Sequence, residues 1–396
     1  MPTNPPDHHP PEASPYAAHI PALDGIRGLA VLGVMSSHLF PGTARSALTR
    51  FIGSTLLFGA SGVDLFFVLS GFLITGILFD SRSHPHYFKN FYARRVLRIF
   101  PLYYLVLLGY TTGALFFGMH FNRQLWSLAL YLQNTHLITR AIYDYNGPSV
   151  LPLSQFWSLA VEEQFYLIWP LLVFLVDSRR QLLAVCLGFT IVCPLLRIFL
   201  WTRGWTYFPV QTSTLTRADS LLAGAALALL LRGPARDRIL HAARWLLLVA
   251  AAVVILSTWK LDVLASLQAL RPAAALSFQF TARDLLFTAL LALVLTPSKI
   301  TDLCRLPWLR SLGKYSYGLY VVHLPIFEYL QSPMKRLITM HITSSKGTAV
   351  GLTGIACFLF SLAVAWVSFR VYEQPFLRLK RFFSYRRPSP RVTIVA

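Results

Sequence analysis

Two adjacent glutamates stand in a segment that is otherwise apolar. Glu162 and Glu163 lie in FWSLAVEEQFYLIWPLLVFLV, which has the composition of a membrane-spanning helix. A carboxylate at the edge of a bilayer is costly to place, so its presence indicates a function. Ser158, Glu162 and Tyr166 recur every four residues and project from one helix face. This pattern predicts a polar face that contacts a substrate; the alternative is a helix end that merely emerges into water.

A second polar pair occurs in the first apolar segment, ALDGIRGLAVLGVMSSHLF. Arg27 and His38 are eleven residues apart, and eleven steps of about 100° return to within about 20° of the starting direction. They therefore share a helix face, with His38 about 16 Å further along the axis. An imidazole at this depth can act as a general base near neutral pH. The alternative for His38 is a hydrogen bond that serves only helix packing.

Arginines are concentrated in YFKNFYARRVLRIFPLYYL, which we interpret as a loop leading into a span. Arg95 and Arg98 fall on one helical face, with Arg94 beside them. A planar guanidinium binds phosphate oxygens through two parallel hydrogen bonds, so the pair suits a phosphate-bearing ligand. Spacing alone favours the other interpretation, in which these arginines mark the cytoplasmic edge of the membrane.

Single ionisable residues interrupt three further apolar segments: Asp64 in GVDLFFVLSGFLI, Arg217 in TRADSLLAGAAL and His323 in KYSYGLYVVHLPIF. Such residues usually face the interior of a helix bundle, so a second intramembrane histidine indicates a shared polar cavity. For Asp64 two interpretations remain: a counter-ion for Arg27 or His38, or a helix-end residue at the outer surface.

Composition assigns the chain to the membrane. It is 55% hydrophobic and 13% charged, with a mean hydropathy of +0.54, which excludes a soluble domain of 396 residues. Its four cysteines lack the spacing of a metal site and are predicted to be packing residues; no metal site is predicted.

We predict an all-α polytopic membrane protein with about ten transmembrane helices. A helix must cross an apolar core of about 30 Å. Segments of that length lie near residues 23–40, 56–79, 99–118, 156–176, 181–200, 215–231, 244–258, 279–296, 314–331 and 347–370. Residues 119–155 could hold a re-entrant piece around 125–132.

The distribution of basic residues predicts the orientation. Of the 36 Lys and Arg residues, 23 fall on the side of the termini and 10 in the opposite loops. Because loops rich in Lys and Arg stay in the cytoplasm, we predict that both termini are cytoplasmic. We predict a multi-pass protein of the inner (plasma) membrane. Loops that face anionic lipid account for the net charge of +20, so nucleic-acid binding is not needed. We predict a disordered cytoplasmic tail at 1–20, a transmembrane domain at 21–376 and a basic cytoplasmic tail at 377–396 that anchors to acidic headgroups.

Six segments, in order, resemble the acyltransferase 3 family of integral-membrane enzymes. They are LDGIRGLAVLGVMSSH, GVDLFFVLSGFLI, FYARRVLRIFPLYYL, WSLAVEEQFYLIWPLL, RADSLLAGAALA, and SYGLYVVHLPI with the later VYEQP, and together they span residues 21–375. The resemblance implies O-acylation of sugars in surface glycans or glycosylated small molecules. It also implies a cytoplasmic coenzyme A thioester, usually acetyl, as co-substrate, with no permanently bound cofactor.

Three motifs of the family carry over to this chain. They match the pairs Arg27 and His38, Arg95 and Arg98, and Ser158 and Glu162. The resemblance implies that His38 is the catalytic base and that the arginines contact the acyl donor. We therefore predict His38, Glu162 and Arg27 as catalytic residues, with Glu162 orienting the acceptor or holding the tautomer of His38. The predicted donor contacts are Arg94, Arg95 and Arg98, and the predicted contacts of the carbohydrate acceptor are Ser158, Glu163, Asp64, His323 and Arg217.

A proton-coupled transporter or exporter is the main alternative, because intramembrane Arg, His and Glu also suit a carrier. Against it, the two halves show no inverted repeat, and the glutamate pair lies at the edge of its span. A membrane acyltransferase acting on amines or lipids is a nearer alternative. The sequence predicts neither the acceptor's identity nor the oligomeric state.

Overall fold

The computed structural model describes residues 20–39, 58–116, 125–135, 153–205, 207–266 and 273–385. Regular structure in these residues is helical, and they contain no β-strand. Their ten long helices are α1 (Pro21–Leu39), α2 (Gly62–Asp80), α3 (Tyr87–Phe116), α4 (Trp157–Leu175), α5 (Arg179–Thr202), α6 (Thr214–Leu230), α7 (Arg236–Ser266), α8 (Ala273–Val294), α9 (Pro307–His341) and α10 (Lys346–Ser368).

The membrane class is confirmed. Within the described ranges, α2, α3, α4, α5, α7, α8 and α10 are long and apolar enough to cross a membrane. Their outward faces are apolar; on α4, for example, Leu167 is 68% exposed and Ile168 is 57% exposed. The helices α1, α6 and α9 coincide with the other predicted spans but fall short in length or hydropathy. The count of ten crossings and the orientation of the termini therefore stay predictions.

At the centre of the bundle, helices pack closely where glycine residues leave no side chain between the backbones. A Cβ atom added to Gly71 of α2 would collide with the carbonyl of Leu221 on α6, and one added to Gly224 would collide with the carbonyl of Val68. Small residues let helix backbones approach in this way. The same relation joins α1 to α9, where a Cβ on Gly313 would meet the carbonyl of Asp24. These contacts fix the helices that carry the polar residues.

Helix α3 begins earlier than the predicted span, at Tyr87, so the predicted loop is helical. Its residues Arg94, Arg95 and Arg98 therefore lie on a continuous helix. The predicted re-entrant region contains a short helix, Leu125–Ala129, whose Leu128 carbonyl accepts a 2.7 Å hydrogen bond from the Tyr103 hydroxyl of α3.

The chain after α10 returns to the bundle. A π-helical turn, Phe369–Glu373, leads into a short helix, Gln374–Arg378, and a 3₁₀ turn, Leu379–Phe382. Asn90 of α3 donates a 3.0 Å hydrogen bond to the carbonyl of Ser384. We call residues 369–385 the C-terminal strap. The predicted tail at 1–20 lies almost wholly outside the described residues, as does the end of the predicted basic tail, 386–396.

Candidate active site

A cavity of about 300 Å³ lies between α1, α2, α3, α4, α9 and the C-terminal strap. It brings together six of the predicted site residues, from three separate helices. These are Arg27, Arg94, Arg95, Arg98, Ser158 and Glu162. Each of the three motifs thus supplies at least one side chain to a single cavity.

One end of the cavity is strongly basic. Arg27 is paired with Asp24, Nη1 to Oδ1, at 2.7 Å. Arg95 stacks over the rings of Phe91 and Tyr166, with its guanidinium carbon 5.7 and 5.6 Å from the two centroids. Arg98 lies close enough to Arg27 and Arg95 for their charges to repel. Cations this close favour a ligand that carries several negative charges.

Two hydroxyl-bearing residues surround the carboxylate of Glu162. The Ser70 and Tyr166 hydroxyls are 2.5 Å apart, and both interact with the Glu162 carboxylate. Arg95 and Arg98 also act electrostatically on this carboxylate. Glu162 therefore interacts with the basic cluster, and the structure gives it no contact with His38.

Ser158 is engaged in a hydrogen-bond group. Its hydroxyl lies 2.5 Å from the hydroxyl of Tyr320, and both oxygens contact the carbonyl of Gln155, at 3.2 and 2.8 Å. Tyr320 also lines the cavity. This arrangement fixes the wall between α4 and α9.

Glu163 does not line the cavity. Its charge acts on the hydroxyls of Tyr103 and Tyr131, which do not line the cavity either, and on that of Tyr317, which does. One of its oxygens is buried and has no hydrogen-bond partner among the described residues. The predicted role of Glu163 as an acceptor contact thus has no support from the cavity, because adjacent helical residues point about 100° apart.

His38 and His323 form a pair beyond the cavity. Their ring centroids are 5.1 Å apart with the planes tilted by 57°. Nδ1 of His38 bonds the carbonyl of Val34 at 2.9 Å, and Nδ1 of His323 bonds the carbonyl of Tyr320 at 2.7 Å. Because a carbonyl only accepts, each neutral ring carries its proton on Nδ1 and a lone pair on Nε2. The Val34 carbonyl, and not Glu162 as one prediction had it, sets the tautomer of His38.

His38 keeps an accessible edge, whereas His323 is fully buried. Nε2 of His323 has no hydrogen-bond partner in the described part of the chain. Tyr320 connects the pair to the cavity, since its ring lies 5.7 Å from that of His323. Arg27 lines the cavity, whereas His38 stands eleven residues further along α1 and does not line it.

Asp64 and Arg217 form a separate buried site. Asp64 pairs with Arg217 of α6 and, at 3.4 Å between Oδ2 and Nε, with Arg283 of α8. The interpretation of Asp64 as a counter-ion for Arg27 or His38 is therefore wrong, because α6 and α8 present their arginines to the first turn of α2. Asp64 does lie at a helix end, but it is buried there. Neither Asp64 nor Arg217 lines the cavity.

A second buried pair lies nearby. Arg197 forms a two-pronged pair with Asp219 at 3.1 and 2.7 Å, and Thr281 donates to the same carboxylate at 2.7 Å. The two buried charges thus neutralise each other, although Nε of Arg197 has no hydrogen-bond partner among the described residues. They indicate that part of the intramembrane polar content holds helices together.

Six polar residues of the cavity were not assigned a site role from the sequence: Ser70, Tyr166, Ser316, Tyr317, Tyr320 and Lys380. Tyr166 and Ser70 stand in the segments that carry the motifs, so their positions on those helices could have indicated that they line the site. The position of Lys380 could not, because it stands in a run of basic residues after the last span.

Comparison with known proteins identifies the family. The acyltransferase domain matches residues 20–370. The peptidoglycan O-acetyltransferase OatA of Listeria monocytogenes serovar 1/2a (strain ATCC BAA-679 / EGD-e) is 31% identical over 93% of this chain and 57% of its own length. YrhL of Bacillus subtilis (strain 168), named as a candidate peptidoglycan O-acetyltransferase, is 30% identical over 93% of this chain and 56% of its own length.

The chain thus spans little more than half the length of these two relatives. A candidate O-acetyltransferase of Staphylococcus aureus (strain COL) is 31% identical over 54% of this chain and 35% of its own length. No solved structure matches the chain. The domain match covers almost all of the bundle described above, and the chain belongs to the acyltransferase 3 family.

Proposed function

We propose that this chain is a membrane O-acyltransferase that moves an acyl group, most simply acetyl, from a coenzyme A thioester to a hydroxyl of a cell-surface carbohydrate. The observation that carries the proposal is the cavity, which is lined by five basic side chains and a single carboxylate. The names of the relatives support acetyl as the acyl group and peptidoglycan as the acceptor class.

The basic end of the cavity suits the donor. Coenzyme A carries a diphosphate and a ribose phosphate, and guanidinium groups bind such oxygens in pairs. No ion pair to a described carboxylate occupies Arg95 or Arg98, so both remain available to a ligand. The predicted orientation would put this end at the cytoplasmic face, where coenzyme A is found.

The histidine pair suits the chemical step. In our proposal, Nε2 of His38 accepts the proton of the acceptor hydroxyl as its oxygen attacks the thioester carbonyl. The carbon–sulfur bond then breaks, and the departing thiolate takes the proton from the His38 imidazolium. The spacing of about 16 Å along α1 between Arg27 and His38 separates phosphate binding from chemistry, and the flexible arm of coenzyme A would bridge it.

Glu162 acts in this scheme at the donor end. It balances part of the positive charge of Arg95 and Arg98 and, with Ser70 and Tyr166, supplies polar contacts to the arm of the donor. Glu162 takes no direct part in the proton transfer at His38 in this scheme, because Glu162 lines the cavity and His38 lies beyond it.

Binding of acetyl-coenzyme A to the purified chain tests the proposal. We expect saturable, salt-sensitive binding to the wild type that is lost in Arg95→Ala/Arg98→Ala. The matched control is Arg305→Ala/Arg336→Ala, which removes the same charge from two exposed positions outside the cavity. If the folded wild type binds no short acyl-coenzyme A, the proposal is wrong and a transporter becomes the better interpretation.

A further inference from the structure

The C-terminal strap places a basic side chain over the donor end of the cavity. Lys380 lines the cavity, and its charge acts on those of Arg27, Arg94, Arg95 and Arg98. Lys380 does not belong to a helix of the bundle, because the 3₁₀ turn that carries it, Leu379–Phe382, follows the last long helix. Burial and repulsion by the four guanidinium groups lower the pKa of Lys380 to about 6, so its ammonium form needs a nearby anion to stabilise it.

Arg94 and Asn90 of α3 hold the strap. Nη1 of Arg94 donates to the backbone carbonyls of Lys380 and Phe383 at 3.3 and 3.2 Å. Asn90 donates to the carbonyl of Ser384. Arg94 also lies over the ring of Tyr385, 5.9 Å from the centroid. Burial raises the pKa of Tyr385 to about 12, so the phenol is neutral at physiological pH and does not offset the cluster's charge.

The π-helical turn at the start of the strap gives a second anchor. Glu373 is buried at the end of this turn, where its carboxylate accepts a 3.3 Å hydrogen bond from Ser368 and acts on Arg98. A single π-helical turn within an α-helix often marks a functional site. The strap is thus fixed at both ends, with Lys380 between the anchors.

The charges at this end of the cavity do not balance. Arg27 has Asp24, and Glu162 and Glu373 offset part of the remainder. Within the described chain, no carboxylate lies within ion-pair distance of Arg95, Arg98 or Lys380. An ammonium group is a compact charge that suits a phosphate oxygen, and the guanidinium forks beside it suit a second phosphate.

We propose that the strap completes a site for a multiply phosphorylated anion, in which Lys380 binds one phosphate group and Arg95 and Arg98 bind another. The identity of the ligand as coenzyme A rests on the proposed function above. The same chemistry could come from the phosphates of lipid headgroups, so the test must separate the two sources.

The test compares two adjacent basic residues of the strap. Lys380 lines the cavity, whereas Arg381 is exposed and stacks over Phe382. The full chain is placed in nanodiscs of neutral phosphatidylcholine and titrated with coenzyme A and, separately, with inorganic pyrophosphate. A charge-assisted hydrogen bond predicts that Lys380→Ala weakens coenzyme A binding roughly tenfold or more. Arg381→Ala should bind as the wild type does, and Lys380→Arg should restore most of the affinity.

Three results would have distinct meanings. Equal affinity of the wild type and Lys380→Ala for both ligands overturns the inference and leaves the donor proposal intact. Lys380-dependent binding of pyrophosphate without binding of coenzyme A supports the phosphate site and contradicts the proposed donor. If Lys380→Ala instead loses only bound phosphatidylglycerol, detected by native mass spectrometry in mixed-lipid nanodiscs, the residue binds a headgroup and the inference is wrong.

Discussion

The imidazole rings of His38 and His323 lie against each other on α1 and α9, with centroids 5.1 Å apart. Each ring is oriented by a carbonyl of its own helix, and the two helices meet through glycine contacts with no intervening side chain. A base positioned in this way needs no separate carboxylate to fix its tautomer. In the proposed reaction, the pair supplies a preorganised proton acceptor, about 16 Å along α1 from Arg27 of the basic cavity.

Replacing the proposed base should separate chemistry from binding. We expect His38→Gln to lower the rate of acetyl transfer by about 10²–10⁴-fold, the usual contribution of a general base. Binding of acetyl-coenzyme A should be unchanged, because the donor phosphates lie at the other end of α1. His341→Gln, at the exposed end of α9, is the control. Wild-type turnover by His38→Gln would exclude His38 as the base.

The buried partner of the base should affect the rate and not donor affinity. His323→Phe keeps a ring in the same space but removes the Nε2 lone pair beside His38. If His323 stabilises the imidazolium that forms on His38, kcat should fall roughly tenfold, since hydrogen bonds to charged groups are of this strength. The dissociation constant for acetyl-coenzyme A should not change. An unaltered kcat would mean that His323 serves packing alone.

The ion pair between Asp64 and Arg217 should contribute to folding. Asp64→Asn leaves a buried guanidinium without its counter-charge, which typically costs about 3–5 kcal/mol. The exposed pair of Asp302 and Arg305, at 3.7 Å, provides a control, because Asp302→Asn should cost at most about 1 kcal/mol. Thermal unfolding in detergent compares the two. Similar melting temperatures for both variants would show that the buried pair is not needed for stability.

The contact between α2 and α6 should tolerate no added methyl group. Gly71→Ala places a Cβ against the backbone carbonyl of Leu221, and overpacking of this kind costs about 1–3 kcal/mol. Gly109→Ala on α3 meets no atom within 4 Å and should be neutral or slightly stabilising. A thermal shift that is equal for the two variants would contradict the close packing of α2 on α6.

Much of the fold could be predicted from the sequence, because length and hydropathy suffice to recognise helices that cross a membrane. Each predicted span overlaps one long helix. Hydropathy predicts the start of α3 too late, because the arginines between Tyr87 and Phe100 lower the hydropathy of its first turns without breaking the helix. Hydropathy indicates which part of a helix contacts lipid, but it does not indicate the residue at which the helix begins.

The site was only partly predictable. Arg95 and Arg98 could be placed on one face from spacing alone, and the resemblance brought them together with Arg27 and Glu162. The pairing of Asp64 with Arg217 depends on which helices are neighbours, and no spacing within one helix encodes that. Lys380 stands in a run whose composition is typical of a lipid-facing tail. Only the folded structure, in which Arg94 binds the backbone of the strap, shows that Lys380 lines the cavity.

The most direct measurement follows a labelled acetyl group from acetyl-coenzyme A to a peptidoglycan fragment, with the full chain in proteoliposomes. We predict an alkali-labile acetyl ester with the wild type, formation of that ester about 10²–10⁴-fold more slowly with His38→Gln, and a raised KM for acetyl-coenzyme A with Arg95→Ala/Arg98→Ala. Folded wild type that binds acetyl-coenzyme A but forms no ester would contradict this acceptor class. Ester formation that survives both the histidine and the arginine substitutions would contradict the site itself.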